Sequence, residues 1–245
     1  MGTRERRQRE VAEREDLFLD AALELIRQDG LLNLQMSRIA EKSEYAVGTL
    51  YLHFASKEDL LLALVTRVFR EYIELVKLAQ AWKASSRDRM FAVGVADMMF
   101  VRRYPDYFRI AQYSVCEVAW QAASSERRKA FLDANDPLVE IVAGIVEDAR
   151  RVGDLEAAGQ TAQEMAIGVW ALCNGYHNLS HAEGILADFS VHDPYLLMCR
   201  HLQGLLDGFR WKPISDVADA AALDALIERV CREVFNEECN ETQGS

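Results

Sequence analysis

Proline and glycine are scarce in this chain of 245 residues, 4 and 13 respectively. That scarcity excludes the turn-dense layouts of sandwiches and small barrels, which need a punctuator every few residues. No apolar run approaches the roughly 18 residues that span a bilayer, so no membrane segment is expected. The N-terminal run Met1-Gly2-Thr3-Arg4-Glu5-Arg6-Arg7 has no apolar core of a secretory signal, and Gly2-Thr3 is a poor lipidation cue. Five cysteines, at 116, 173, 199, 231 and 239, are scattered without a close pair. They read as reduced thiols and exclude a disulfide frame or zinc ribbon. These absences together predict a cytoplasmic protein. Net positive charge is also lacking, the formal charge being −11. Residues 1–57, however, hold nine Lys/Arg against ten Asp/Glu, so the acidity sits in the remainder and a local anion-binding face stays open.

What the chain does have is leucine and alanine at helical spacing. Half of its residues are hydrophobic, enough for a substantial core. Leu17, Phe18, Ala21, Ala22, Leu25 and Ile26 form one stripe of a first helix, which Asp29-Gly30 ends, with glycine suited to a left-handed C-terminal position. Ser56-Lys57-Glu58-Asp59 is a capping-box signature. It opens a long helix through Leu61, Leu64, Val65, Val68, Tyr72 and Val76 to about Ala84. Further helices are expected near 86–103, 106–122, 126–151, 161–183, 194–210 and 218–237, with Pro137 kinking or restarting the third of these. The predicted fold is all-α, with a boundary near residue 60 between a small N-terminal module (1–60) and a larger helical bundle (61–245).

Between the first helix and the long one lie Met36–Lys42, a turn at Ser43-Glu44, and Ala46–Phe54. Two short helices crossed about a tight turn make a helix-turn-helix, whose second helix enters the major groove of DNA. Ile39, Ala40, Leu50 and Phe54 supply the apolar set that would lock the pair against Leu25 and Ile26. Taken singly, Tyr51 and His53 read equally well as packing residues, and the arginines of residues 4–14 as a solvated face interleaved with glutamates.

Ala21-Ala22-Leu23-Glu24-Leu25-Ile26, Asp29-Gly30, Ile39-Ala40, Gly48-Thr49-Leu50-Tyr51, His53-Phe54 and Ser56-Lys57-Glu58-Asp59-Leu60 together resemble the TetR family of bacterial repressors over about residues 15–65. The resemblance implies a three-helix DNA-binding module and a helical ligand-binding and dimerisation domain. It puts DNA contacts on Thr49, Tyr51, His53 and Lys57, with Gly48 admitting the DNA backbone. Ser37, Arg38, Ala46 and Val47 complete the expected interface. Hydroxyls and an ammonium suit phosphate oxygens, Arg38 could reach a phosphate or a guanine edge, and Val47 could pack on a thymine methyl. Two positions depart from the family pattern: Glu44 stands where a turn glycine is common, and Val47 where a polar or basic residue is common.

The C-terminal helices are rich in large apolar residues, and the resemblance implies an inducer pocket among them. Tyr113, Trp120, Trp170, Asn174 and His177 are its candidate lining, since a few polar groups on an apolar face orient a ligand. Val169, Leu172 and Tyr176 on one helix and Leu202, Leu205, Leu206 and Phe209 on another are the candidate faces of a two-fold, four-helix dimer contact. His177 and His181 have a spacing that can bind a metal from one helix, but no acidic or cysteine partner stands at a fixed spacing from them, so no metal site is assigned. There is no nucleophile elbow, phosphate-cradling glycine loop or acid–base pair; neither catalytic residues nor a cofactor are expected. The expected function is a ligand-responsive repressor, binding a double-stranded operator as a homodimer and released by a small apolar or aromatic inducer. The alternative is a helical small-molecule carrier or enzyme without DNA binding.

Overall fold

The computed structural model describes residues 3–156, 159–182 and 184–237; Met1, Gly2 and Cys239, used in the sequence reading, lie outside them. Twelve α-helices and no strand occur among the described residues. The chain divides into two compact units. One takes in the chain up to Arg70 together with Tyr104–Asn135. The other takes in Glu71–Arg103 and the chain from Asp136 on.

The first unit contains α1 (Thr3–Asp29), α2 (Met36–Lys42), α3 (Val47–Tyr51), the start of α4 (Lys57–Ala81), α6 (Pro105–Val115), α7 (Glu117–Ala122) and the start of α8 (Ser125–Val152). Phe18, Ala21, Ala22, Leu25 and Ile26 form the buried stripe of α1, whereas Leu17 faces solvent and Leu19 and Leu23 are buried instead. The stripe is thus rotated by part of a turn from its sequence reading. Gly30 ends the helix at φ 85°, its N–H returning to Ile26 O at 2.9 Å. The segment expected as one helix over 106–122 breaks at Cys116, an extended residue that closes α6 and starts α7. Pro105 occupies the first turn of α6, where its missing N–H costs nothing.

The second unit holds the rest of α4, α5 (Ser86–Arg103), the rest of α8, α9 (Ala162–His181), α10 (Ile185–Asp188), α11 (Pro194–Gly208) and α12 (Ala220–Val230), which runs into a π-helical turn at Cys231–Phe235. Pro137 lies inside α8. α5 is buried nearly all round, from Met90 to Val101, as expected of a helix enclosed by neighbours. It packs on α9 and α11, which also pack on each other. Contact between α5 and α11 is close enough that a Cβ on Gly94 would collide with Leu202. Thr161 and Glu164 form a reciprocal capping box at the start of α9, and Asp193 caps α11 by accepting from Leu196 N at 2.8 Å.

Arg87 is the polar centre of this unit and is 3% exposed. Its guanidinium donates to Trp211 O at 2.5 Å, Gln203 Oε1 at 2.6 Å and Ser215 Oγ at 2.9 Å, and lies 2.7 Å from Asp207 Oδ1. Burial pulls its pKa below the ordinary arginine value, against the opposing pull of Asp207. Burial likewise pushes the Cys199 thiol up to about 12 and the Cys173 thiol well above its usual range, so both are inert core thiols. Cys116, Cys173 and Cys199 are free. Cys231 departs from the reduced-thiol reading, being disulfide-bonded.

Removing one partner of a buried, hydrogen-bonded ion pair leaves the other charge uncompensated, at a cost of about 3–5 kcal/mol. Arg87→Leu is therefore expected to lower unfolding free energy by about that amount. The check is the urea midpoint, which moves far less for Arg6→Leu, a surface pair with Glu10.

Candidate nucleic-acid interface

α2 and α3 are held by the apolar residues expected of them: Ile39, Ala40, Leu50 and Phe54 are fully buried. The Phe18 ring of α1 meets the Tyr45, His53 and Phe54 rings edge-on, at 5.3, 5.5 and 6.5 Å. α2 ends as Ser43 Oγ donates back to Ile39 O at 2.8 Å. The chain then reverses through Glu44 at φ 59°, and Tyr45 N donates to Ala40 O at 2.9 Å. This geometry accounts for the glycine that the family pattern favours at position 44: the turn demands a left-handed residue, and glutamate adopts that conformation at a steric cost.

Two polar side chains, Asp59 buried and Arg127 half-buried, fasten this pair to the rest of its unit. Asp59, 3% exposed, accepts from Ala55 N at 3.2 Å and Ser124 N at 2.6 Å, while its own N–H takes Ser56 Oγ at 3.1 Å. Arg127 donates to Glu15 Oε1 and to His53 O, both at 3.0 Å, with its guanidinium 4.9 Å over the Phe54 ring. The capping sequence at 56–59 was readable; Arg127, 74 residues from His53, left no local signal.

Of the expected DNA-contact residues, Ser37, Arg38, Ala46, Val47, Gly48 and Tyr51 are exposed, Tyr51 by 50%. Thr49 and Lys57 are half-buried. A Cβ on Gly48 would meet nothing within 4 Å, so no internal contact demands glycine there. Arg38 pairs with Asp29 at 2.7 Å, and the neighbouring Lys42 with Glu24 at 2.7 Å, a bond that holds Glu24 below the usual carboxylate range. Lys57 Nζ sits 5.8 Å over the Tyr113 ring. His53 is turned inward: its side chain is 7% exposed, with Nδ1 3.5 Å from Glu15. It is a packing residue of the module, because the α3–α4 corner folds its ring against Phe18. Leu52, beside it and 86% exposed, occupies the outward position instead.

The ligand candidates do not converge in the same way. Tyr113 and Trp120 belong to the first unit. Tyr113 donates to Glu58 at 3.4 Å, its pKa raised chiefly by burial and then by Glu58, and Trp120 stacks edge-on with Phe131. Trp170, Asn174 and His177 lie on α9 in the second unit. Trp170 is 58% exposed, Asn174 is half-buried, and His177 is buried with Nε2 2.7 Å from Asp97 Oδ2. None of the five lines either of two surface clefts, of about 300 and 180 Å³. No group of three or more metal-ligating side chains occurs among the described residues.

The dimer candidates are likewise turned. Val169, Leu202 and Leu206 are buried in their own unit, spent on packing α9, α11 and α5 together. Leu172, Tyr176, Leu205 and Phe209 are half-buried, with Leu205 and Phe209 leaning on Gly168. The apolar residues of α9 left outward are Ile167, Trp170 and Leu179.

Residues 18–64 match the model of the bacterial regulatory proteins of the tetR family. Over those residues the N-terminal module is similar to that of the tetR-family proteins. Over 76 residues it is 35% identical to the fatty acid metabolism regulator protein of Bacillus subtilis, a match covering 31% of this chain and 39% of that one. Over 57 residues it is 44% identical to the HTH-type transcriptional repressor KstR of Rhodococcus jostii, covering 23% and 27%. The matched segments therefore span less than half the length of these relatives. Among solved structures, a tetR-family regulatory protein from Rhodococcus RHA1 superposes with a TM-score of 0.61 at 17% identity, over 83% of this chain and 98% of that one. FadR of Bacillus subtilis in complex with stearoyl-CoA superposes at 0.59 and 20% identity, over 78% and 97%. Beyond the N-terminal module the likeness to tetR-family proteins is thus one of fold.

The strain at the turn is open to measurement. Glu44→Gly is expected to stabilise the protein by about 0.5–1 kcal/mol, the relief of a left-handed β-carbon less the extra freedom of an unfolded glycine. Glu44→Ala, which keeps the β-carbon, brings no such gain. Equal midpoints for the two variants in urea, at unchanged slope, would place the cost elsewhere.

Proposed function

We propose that the chain is a ligand-responsive, DNA-binding transcriptional regulator: a homodimeric, cytoplasmic repressor that a small apolar or aromatic inducer releases from a palindromic operator. The observation that carries this reading is the outward face of α2 and α3. There Ser37, Arg38, Val47, Gly48 and Tyr51 stand exposed around a recognition helix whose other side is locked into the module. DNA binding belongs to residues 1–60; the helices from 61 on carry ligand binding and dimerisation, with no catalytic role. Lys57 and Tyr51 position the protein on phosphates, and the few remaining side chains read base edges.

For the ligand, the buried polar cluster inside the second unit is the natural anchor. Asp97 meets His177 at 2.7 Å, and Tyr72, whose hydroxyl is held well above the ordinary tyrosine pKa by burial and by Asp97, lies against it. An apolar bundle with one such cluster suits a long apolar molecule with a polar end. The stearoyl-CoA held by the Bacillus subtilis FadR structure makes a long-chain acyl thioester the first ligand to try. For the dimer, Ile167 and Trp170, one turn apart on α9, are large apolar groups that stay mostly exposed among the described residues, as a face that meets a copy of itself would be.

Two outcomes follow. Lys57→Ala and Tyr51→Phe weaken binding equally on the DNA upstream of the chain's own gene and on unrelated duplex, and Lys57→Ala lowers the salt slope of log K by about one. Unchanged affinity in both variants removes these residues from the interface, and failure of the wild type to shift any duplex removes the function. Separately, Trp170→Glu gives a folded monomer by sedimentation with much weaker operator binding. A variant that still sediments as a dimer puts the contact off α9.

A further inference from the structure

The arginines of residues 4–14 are the one sequence motif that the helix-turn-helix itself does not use. In the structure they are not a loose strand: α1 is helical from Thr3. Positions 7, 11, 14, 18, 21 and 25 follow one another at intervals of three and four and so share one face. Phe18, Ala21 and Leu25 are the buried part of that face. One turn earlier, Arg14 lays its guanidinium 5.5 Å over the Tyr45 ring, and its Nε has no acceptor. Two turns earlier still, Arg7 is exposed and has no ion-pair partner among the described residues.

The acidic residues of this stretch are engaged or placed elsewhere. Glu10 pairs with Arg6 at 3.4 Å, Glu15 with Arg127 at 3.0 Å and Asp16 with Arg67 at 3.5 Å. Glu5 and Glu13 fall on other faces of the helix by the same periodicity. A strip of free positive charge therefore continues the inward stripe of α1 beyond the end of the module. Tyr45 immediately precedes Ala46, the N-cap of α3, so Arg14 marks where α1 passes the end of the recognition helix that faces the groove. From there to Arg7 the helix runs on for about 10 Å at 1.5 Å per residue.

We propose that Arg7 and Arg14 form a second DNA contact, a rigid helical strip that grips backbone phosphates flanking the groove entered by α3. The assignment rests on the DNA-binding reading above. Its occupant is the duplex backbone, because the strip offers charge and no base-reading geometry. The minor groove is excluded by size: it is about 6 Å wide, while a helix with its side chains measures about 10–12 Å.

The experiment is fluorescence anisotropy over a salt series, with the DNA upstream of the chain's own gene and with an unrelated duplex of equal length. Each phosphate contact contributes about 0.9 to the slope of log K against log salt. Arg7→Ala and Arg14→Ala are each expected to lower the slope by about 0.9, equally on both duplexes. Arg7 is exposed and has no ion pair among the described residues, so its variant is not expected to loosen the fold. Val11→Pro keeps both arginines but breaks the helix before residue 12, and is expected to reproduce the Arg7→Ala loss. Replacing flanking A·T pairs by G·C changes nothing. Slopes unchanged in both arginine variants overturn the proposal. So does the opposite pattern, with Val11→Pro harmless and G·C flanks weakening binding, which describes a flexible arm in the minor groove. If the wild type binds neither duplex, the functional reading falls as well; binding by the wild type with unaltered arm variants overturns the strip alone.

Discussion

A buried carboxylate and a half-buried guanidinium fix the geometry on which the candidate interface depends. Asp59 accepts backbone N–H groups from two places 69 residues apart in sequence, Ala55 and Ser124, and three residues on from Ser124, Arg127 closes on Glu15, His53 O and the Phe54 ring. Each group needs the other's neighbourhood: a buried charge without acceptors or donors costs several kcal/mol. α1, the α3–α4 corner and the start of α8 can therefore satisfy both only in one arrangement. The pair adds little net stability, but it makes alternative packings expensive.

The second unit uses the same device at Arg87. Its acceptors are Gln203 O and Oε1, Asp207 Oδ1, Trp211 O and Ser215 Oγ, so a single side chain of α5 ties the end of α11 to the segment that follows it. The many surface pairs, such as Lys129–Asp133 and Lys77–Glu74, are each worth about 0–1 kcal/mol and select nothing comparable. Specific architecture in this protein comes from Asp59, Arg87 and the half-buried Arg127, set among apolar helices, not from the abundance of charge on its exterior.

What was legible in the sequence was what is written locally. Ser56-x-x-Asp59, Gly30, Pro105 and the stripe of α4 each encode their structure within one or two turns, and the spacing at 18–64 carries the family. Side-chain direction was less legible. Leu17 and His53 traded places with Leu19 and Leu52, and Val169, Leu202 and Leu206 went to their own core while Trp170 stayed outside. On α5 and α9, apolar residues occupy most of the circumference, so periodicity alone cannot say which arc meets a neighbour. Arg127 and the Asp97–His177 pair were illegible for a different reason: each joins segments far apart in the chain, and no local pattern marks such a partner.

The charge of the interface follows from these placements. On the proposed DNA-binding reading, a formal charge of −11 means that attraction to DNA cannot come from the molecule as a whole and must be local. Arg38 and Lys42 are held by Asp29 and Glu24 in exposed pairs. Such pairs cost only about 0–1 kcal/mol to open, less than the hydrogen bonds of about 1.5–3 kcal/mol that a cation makes with a charged partner such as phosphate. In the proposed interface the acids therefore store these two cations until a nucleic-acid backbone competes for them. Ala46, Val47 and Gly48, at the tip of α3, offer no side-chain donor. In the proposed interface the contacts that would hold a duplex thus outnumber those that would read it, which leaves base selectivity to Ser37, Arg38, Thr49 and the shape of the groove.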